Sequence, residues 1–275
     1  MATMTSPARQ ATAISALLRR RITWWHGVVS VLVVLAVWQF ASMAGLLPAT
    51  SLPSALSVFA EWGALLVTGT YWAAVGETIS SAMLGLLIAV AIGLVVGVVV
   101  GSFRFIREST WFIIEFLKPI PPVAMIPLAL LLWGPSSTMK LTLITYGALW
   151  PFLIQVIYGV SQVDSSLIRM SRSYRLGAWL TSTRVVFPAM LPFAATGLRV
   201  SASVAIIVSV VTELVGGAAG LGRNIILAGS ANNLPEVYAL ILTTGMLGVV
   251  VNMAFASGEK PLLFWHASQR GEGTS

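Results

Sequence analysis

The sequence predicts an all-α, polytopic membrane protein with six transmembrane helices. Three observations carry that prediction. Of the 275 residues, 57% are hydrophobic and 9% charged, whereas soluble globular chains carry about 25% charged residues. Six windows, 24–46, 75–101, 116–134, 139–161, 191–216 and 237–257, meet or approach the roughly 20 apolar residues that a helix needs to cross the hydrocarbon core. The lysines and arginines gather in alternate connections, as the positive-inside rule requires of a chain threaded through a bilayer.

Residues 1–21, "MATMTSPARQATAISALLRRR", read as a cytoplasmic tail ending in Arg19 to Arg21. The apolar run that follows exceeds the 7–15 residues of a signal-peptide core and no small-residue cleavage site ends it promptly, so it is expected to stay as a membrane helix. Residues 53–70, "PSALSVFAEWGALLVTGT", open on a proline suited to a helix start and mix apolar with small or charged positions, which predicts a short helix on the external face.

The second span carries Gly85, Ala89, Gly93, Gly97 and Gly101, a smooth ridge along one helix face where another backbone can approach closely. That ridge serves either a subunit interface or packing within the chain, and the second is the plainer reading. The third window holds "KPIPPVAMIP", with Pro119, Pro121, Pro122 and Pro127. Prolines leave carbonyls unpaired, which is expensive in lipid, so Pro121 and Pro122 are expected in the protein interior or beside a transport path.

With the N-terminus inside, the cytoplasmic connections hold Arg9, Arg19, Arg20, Arg21, Arg104, Arg107, Arg169, Arg172, Arg175, Arg184, Lys260 and Arg270, while the opposite side receives Lys140 and Arg223. Twelve against two predicts both termini on the cytoplasmic side. The expected organisation is a tail over 1–21, a six-span domain over 22–260 with its longest cytoplasmic connection at 164–188, and a tail over 261–275.

Several function classes fall away. There is no cysteine, so thiol nucleophiles, disulfides and thiolate-bound metals are excluded. His26 and His266 stand too far apart to predict a shared metal site, and they offer no catalytic set with the scattered carboxylates. No Gly-x-x-x-x-Gly-Lys-Ser/Thr phosphate cradle occurs, so no cofactor is expected in this chain. The net charge of +7 lies between apolar spans rather than on a readable basic face, which points to lipid-bilayer orientation and not to nucleic acid. Ionisable residues at membrane depth usually face the bundle interior or water, which singles out Arg199 and Glu213, with Lys118 and Glu115, as functional candidates. Arg199 would suit an anionic cargo; its plainer role is a structural pair. Glu213 reads equally as a cap on the loop that follows it.

The connection 164–188 contains Leu176, Trp179 and Leu180 at i, i+3, i+4 beside Arg169, Arg172, Arg175 and Arg184. On physical grounds alone such an amphipathic element lies on anionic lipid or docks in a groove of a soluble partner. The stretch "VDSSLIRMSRSYRLGAWLTSTRVVFPAMLPFAATGLRVSASVA" resembles the cytoplasmic loop of binding-protein-dependent ABC importer permeases. In that family a Glu-Ala-Ala motif is followed, six residues after its Glu, by Gly. Aligned without gaps through Val185, Val186, Phe187 and Pro188, the family's Glu falls on Arg169, its alanines on Met170 and Ser171, and its Gly on Arg175. The runs "FLKPIPPVAMIPLALLLWG", "ALWPFLIQVIYGVSQVD" and "VTELVGGAAGLGRNI" are similar to the nitrate, sulfonate, taurine and bicarbonate branch.

The resemblance implies a type I importer (MetI-like) fold in the inner membrane. It implies a second permease copy, an extracytoplasmic binding protein, and a separate ABC ATPase subunit that binds ATP and seats on the coupling loop through Arg169, Arg172, Arg175, Leu176, Trp179, Leu180, Arg184 and Pro188. An ion-coupled secondary transporter and a non-transporting scaffold are the competing readings; no inverted repeat supports the first, and the proline-broken span argues against the second. The sequence does not name the cargo.

Overall fold

The computed structural model describes residues 7–45, 48 and 51–262, with side chains from Trp25 to Gly258. Every regular element among them is helical. The expected N-terminal tail is described from Pro7 only, as the first turns of α1 (Pro7–Met43); the C-terminal tail from residue 263, with His266, lies outside the described residues. The chain continues through α2 (Ala55–Leu66), α3 (Gly69–Ser102), α4 (Arg104–Leu117), α5 (Ile126–Trp133), α6 (Ser137–Ser161), α7 (Ser165–Ser173), α8 (Ala178–Thr181), α9 (Phe187–Gly216), α10 (Leu221–Ser230) and α11 (Leu234–Leu262).

Five of these segments among the described residues are long and apolar enough to cross a membrane. The predicted third span is not one helix. α4 ends at Leu117, and the chain turns by 74° into a 3-10 turn at Pro122–Met125 and the short α5. Prolines cause the break, because their rings remove amide donors and collide with the preceding turn. The carbonyl of Leu117 stays satisfied: it accepts from the Tyr146 hydroxyl at 2.7 Å and from the Ile120 amide at 3.1 Å. Pro122 packs over Gly147 of α6, whereas Pro121 is exposed.

The core is a block of α3, α6 and α9. A β-carbon built on Gly93, Gly97 or Gly101 would meet Phe152, Val156 or Val160 respectively, and one on Gly85 would meet Ile144. Each pair is separated by 59 positions, the constant offset of two parallel helices in four-residue register. The glycine ridge therefore serves packing within the chain. α9 runs the other way: Gly159 of α6 faces Met190 and Phe193, while Gly147 faces Val204 and Val208. Buried Leu86, Ala89, Ile144, Ala148, Ala202, Ala205 and Ile206 fill the space between the three helices.

α2 starts where Ser54 caps it, its hydroxyl accepting from the Ser57 amide at 3.1 Å. Trp62 Nε1 on α2 donates to Thr243 Oγ1 on α11 at 3.1 Å, and the Tyr71 hydroxyl of α3 lies 3.0 Å from the same oxygen. α1 touches the rest through its C-terminal end, where Trp38 Nε1 donates to the Pro53 carbonyl at 3.1 Å and Ser42 Oγ to that of Leu52 at 3.3 Å.

The register makes a sharp expectation. In Gly97→Leu the new β-carbon would lie 2.7 Å from Val156 Cγ1 and 2.8 Å from its Cβ, an overpacking that costs about 1–3 kcal/mol. Thermal unfolding of the detergent-purified protein should shift down for Gly97→Leu and not for Gly76→Ala, where an added carbon meets nothing within 4 Å.

Candidate functional site

Two clusters stand at opposite ends of the helical block. The first is a buried ion pair. Lys140 lies in the first turn of α6 at 1% exposure and Glu213 in the last turn of α9 at 0%, with Lys140 Nζ 2.6 Å from Glu213 Oε1. Charge counting had assigned Lys140 to an external connection; the structure instead sends it inward. A cation near a helix N-terminus opposes the macrodipole, and it is held there by acceptors from other elements. Lys140 Nζ donates to the Ala219 carbonyl at 2.9 Å and to that of Glu77 at 3.3 Å, and the half-buried Glu77 carboxylate lies 3.9 Å away.

Glu213 is equally well supplied. Its Oε1 also accepts from Ser209 Oγ at 3.1 Å, and its Oε2 accepts from Thr78 Oγ1 at 2.9 Å and the Gly222 amide at 3.0 Å. Moving two ions out of water costs several kcal/mol each, and the pair tolerates this because the remaining lone pairs are filled. The Gly222 amide belongs to the N-terminus of α10, so the carboxylate also meets the positive end of that helix. The local sequence "GGAAGLG" makes this approach possible. Gly217 ends α9 at φ 70°, and Gly220 has φ 142° with its α-carbon so close that a side chain there would occupy the place of the Glu213 carboxylate. The Leu221 amide closes the ring by donating to Thr78 Oγ1 at 3.0 Å. One carboxylate thus fastens α3, α6, α9 and α10 together.

Arg199 sits twelve residues after Phe187, about 18 Å along α9 and close to its middle. It is exposed, and its Nε donates to Asn252 Oδ1 of α11 at 3.1 Å. An arginine at the centre of a span costs about 2.5–3.5 kcal/mol on insertion scales when it meets lipid, so this face of α9 turns toward water or protein. Lys118 and Glu115 form a partly exposed pair at 2.7 Å, of the kind worth roughly 0–1 kcal/mol.

The second cluster is the connection between α6 and α9. Asp164 caps α7 by accepting from the Ser166 amide at 2.7 Å; hydrogen bonds from the Ser166 backbone and side chain, with Arg169 nearby, hold its carboxyl below the usual carboxylate range. α7 ends in a Schellman turn: the Arg175 amide donates to the Arg172 carbonyl and the Leu176 amide to that of Ser171, both at 2.9 Å. The left-handed position of that turn, which favours glycine, is taken by Arg175 at φ 53°.

The helix predicted through Leu176, Trp179 and Leu180 is consequently two short helices with Leu176 in the turn between them. All three side chains are nonetheless exposed, Trp179 at 79%, as are Tyr174 at 74% and Arg169, Arg172, Arg175 and Arg184. A π-helical turn at Ser182–Val186 carries the chain into α9, where the Pro188 ring would otherwise press on the carbonyl of Arg184.

Residues 89–257 match the family described as the binding-protein-dependent transport system inner membrane component. The chain belongs to this family. It is the permease of an ABC importer, a multi-pass membrane protein. The permease is 28% identical over 256 residues to a putative aliphatic sulfonates transport permease protein, SsuC, of Bacillus subtilis, covering 92% of each chain. It is 32% identical to a putative ABC transporter permease of Methanocaldococcus jannaschii over 68% of this chain and 71% of that one. It is 28% identical to the bicarbonate transport system permease CmpB of Synechococcus elongatus over 79% and 82%. In fold it resembles a chain of the inward-facing MetNI methionine ABC transporter, with a TM-score of 0.59, 20% identity, and coverage of 69% and 94%.

Of the residues singled out from sequence, Glu213 lies in the buried cluster, Arg199 half-way down α9, Pro121 and Pro122 at the break before α5, and the arginines on the connection. The permease does not bring Arg199 and Glu213 together, since fourteen residues of α9 separate them, about 21 Å. Sequence reasoning missed Lys140, Thr78, Ser209 and Asn252. A lysine at the start of a bilayer-length helix was the available signal for the first, as an intramembrane cation calls for a named acidic partner.

Removing one partner of a buried pair strands the other charge, at a cost of about 3–5 kcal/mol. Lys140→Met should therefore sharply lower the melting temperature and yield of the purified permease. Lys140→Met combined with Glu213→Gln, which keeps an acceptor for Gly222 and Thr78, should recover a large part of the loss; equal loss in single and double variants would refute the pairing.

Proposed function

We propose that the permease pairs with a second copy of itself to enclose one pathway for a small oxyanion such as a sulfonate, taurine, nitrate or bicarbonate. A separate ATPase subunit binds the ATP and seats on residues 164–188, and an extracytoplasmic binding protein delivers the cargo at the opposite end. Both termini then lie in the cytoplasm. Burial of Lys140 supports this orientation, for it leaves Arg223 alone against the twelve basic residues of the cytoplasmic connections.

The observation that carries the proposal is the surface of the α6–α9 connection. Trp179, Tyr174, Leu176 and Leu180 stand exposed among four arginines, an apolar anchor with a basic rim, which fits a groove with an acidic margin on a soluble subunit. Helices α6 and α9 are packed against each other in the core, with Gly159 of α6 facing Met190 and Phe193 of α9, so a partner moving this connection moves the core and not a loose loop. The relatives named for aliphatic sulfonates and bicarbonate support an oxyanion as cargo. Family membership does not favour the ion-coupled alternative.

Pull-down of the tagged permease in mild detergent, with mass spectrometry of co-purifying proteins, tests the docking. Wild type should retain an ATPase that Arg172→Glu/Arg175→Glu loses while the permease remains in the membrane. Arg175→Gly, which suits the left-handed turn better, should keep the fold and weaken retention in proportion to the lost charge. Undiminished retention in the double charge reversal would show that the partner docks elsewhere.

A further inference from the structure

The face of α9 that carries Arg199 opens onto a groove shared with α11. Its volume is about 510 Å³, and it is lined by Ser203, Ile207 and Val210 of α9 and Thr244, Gly248 and Asn252 of α11. Small-molecule sites commonly fall between roughly 300 and 1,000 Å³. Arg199 lies one turn from Ser203 and reaches the groove through Asn252, to which its Nε donates at 3.1 Å. A β-carbon on Gly248 or Gly245 would meet nothing within 4 Å, so the floor of the groove is open space and not a helix contact. An apolar span has no use for a guanidinium on a lipid-facing stripe, since an ionisable group there is costly in hydrocarbon and marks the bundle interior or a water-filled path; the Ser203 and Thr244 hydroxyls beside it donate to the carbonyls of Arg199 at 3.3 Å and Ile241 at 2.8 Å and would turn from these to meet an anion.

We propose that this groove is the wall along which the cargo moves, with Arg199 and Asn252 as its oxyanion-contacting pair, Ser203 and Thr244 as the next polar contacts, and Ile207 and Val210 facing the organic part of the solute. The proposal rests on the permease reading and adds residues and a ligand chemistry to it. A guanidinium presents a planar fork matched to two oxygens of a sulfonate or carboxylate, and its charge persists at any physiological pH. The buried cluster at the end of α9 does not compete for this role: Lys140 has its charge matched by Glu213 and is 1% exposed. Moving from that end toward the α6–α9 connection, an anion meets Thr244, then Ser203, then the Arg199–Asn252 pair.

The absence of cysteine gives a direct test that needs no knowledge of the cargo. Ser203→Cys, Gly248→Cys and Leu87→Cys are made singly in the full-length protein, in membranes together with its transport partners, without nucleotide and after trapping with ATP and vanadate. Each is treated with anionic ethylsulfonate methanethiosulfonate or its cationic trimethylammonium counterpart. The expected result, in at least one of the two states, is reaction at positions 203 and 248 at least about tenfold faster with the anion than with the cation, against slow reaction with both at exposed Leu87→Cys on α3. Arg199→Gln should erase the preference; Arg199→Lys, which keeps the charge, should retain it and serves where the glutamine variant does not fold. No reaction in either state, a preference for the cation, or disulfide-linked dimers through position 248 with no reagent access would overturn the proposal, the last by making the groove a sealed contact between copies. Failure of the permease reading would show separately, as an ATPase that never co-purifies.

Discussion

The architecture depends on one carboxylate being worth burying. Glu213 sits where four helices converge, and each donor it receives comes from a different part of the chain: Lys140 from α6, Thr78 from α3, Ser209 from its own helix and the Gly222 amide from α10. An ion buried with lone pairs unfilled would neutralise or pull water in. Because all of them are filled, the pair becomes a geometric constraint instead. It fixes the angle between α9 and α10 and sets how far α6 can slide along either neighbour.

That constraint works only because the helices approach closely enough for a lysine and a glutamate on separate elements to meet. The glycine ridge of α3 provides the approach: Gly85, Gly93, Gly97 and Gly101 each receive a side chain of α6 at an offset of 59 positions. In a bilayer, where lipid tails are as apolar as leucine, such contact is what makes helices associate. Register and ion pair reinforce each other. A one-residue slip of α6 would bring Ile144 or Val156 against a larger neighbour and would also draw Lys140 off Glu213. The glycines thus act on the site without touching it.

How much of this was legible in the sequence follows from the range of the interactions involved. Composition and charge alternation are sums over many residues, and they were enough for an all-helical membrane protein; the short α2 and the disruption near Pro119 to Pro127 were legible because proline and capping effects are local. The sharp break of 74° between α4 and α5 was not, since a proline announces a lost hydrogen bond but not whether the helix kinks or ends. Lys140 was misassigned because loop counting treats every basic residue beside a span as solvated, whereas its partners lie 63, 73 and 79 positions away at Glu77, Glu213 and Ala219. Arg199 was legible as a charge in a span, but its neighbour Asn252, 53 residues on, was not, because a neutral amide in an apolar helix raises no comparable alarm.

The turn at Arg175 shows where local and functional demands part. The gapless alignment that sets the family's glycine on Arg175 is consistent with the backbone, since φ there is 53° and the two hydrogen bonds of a Schellman motif are formed. A side chain in that conformation costs about 1–2 kcal/mol, which a glycine would remove. Nothing in the turn itself calls for an arginine: its own amide and the next one make the hydrogen bonds, and the guanidinium is exposed. The strain is tolerable because α7 is capped at one end by Asp164 and the chain is committed to α9 at the other, so the turn is over-determined by its flanks. What the arginine adds is therefore charge on an outward surface, beside Arg172, Tyr174 and Trp179, at the end of the block farthest from the Lys140–Glu213 pair. From Lys140 to Ser161, α6 spans about 32 Å, so the two ends are one rigid helix apart, and a contact made at the arginine surface bears on the same helix that the buried pair holds in place.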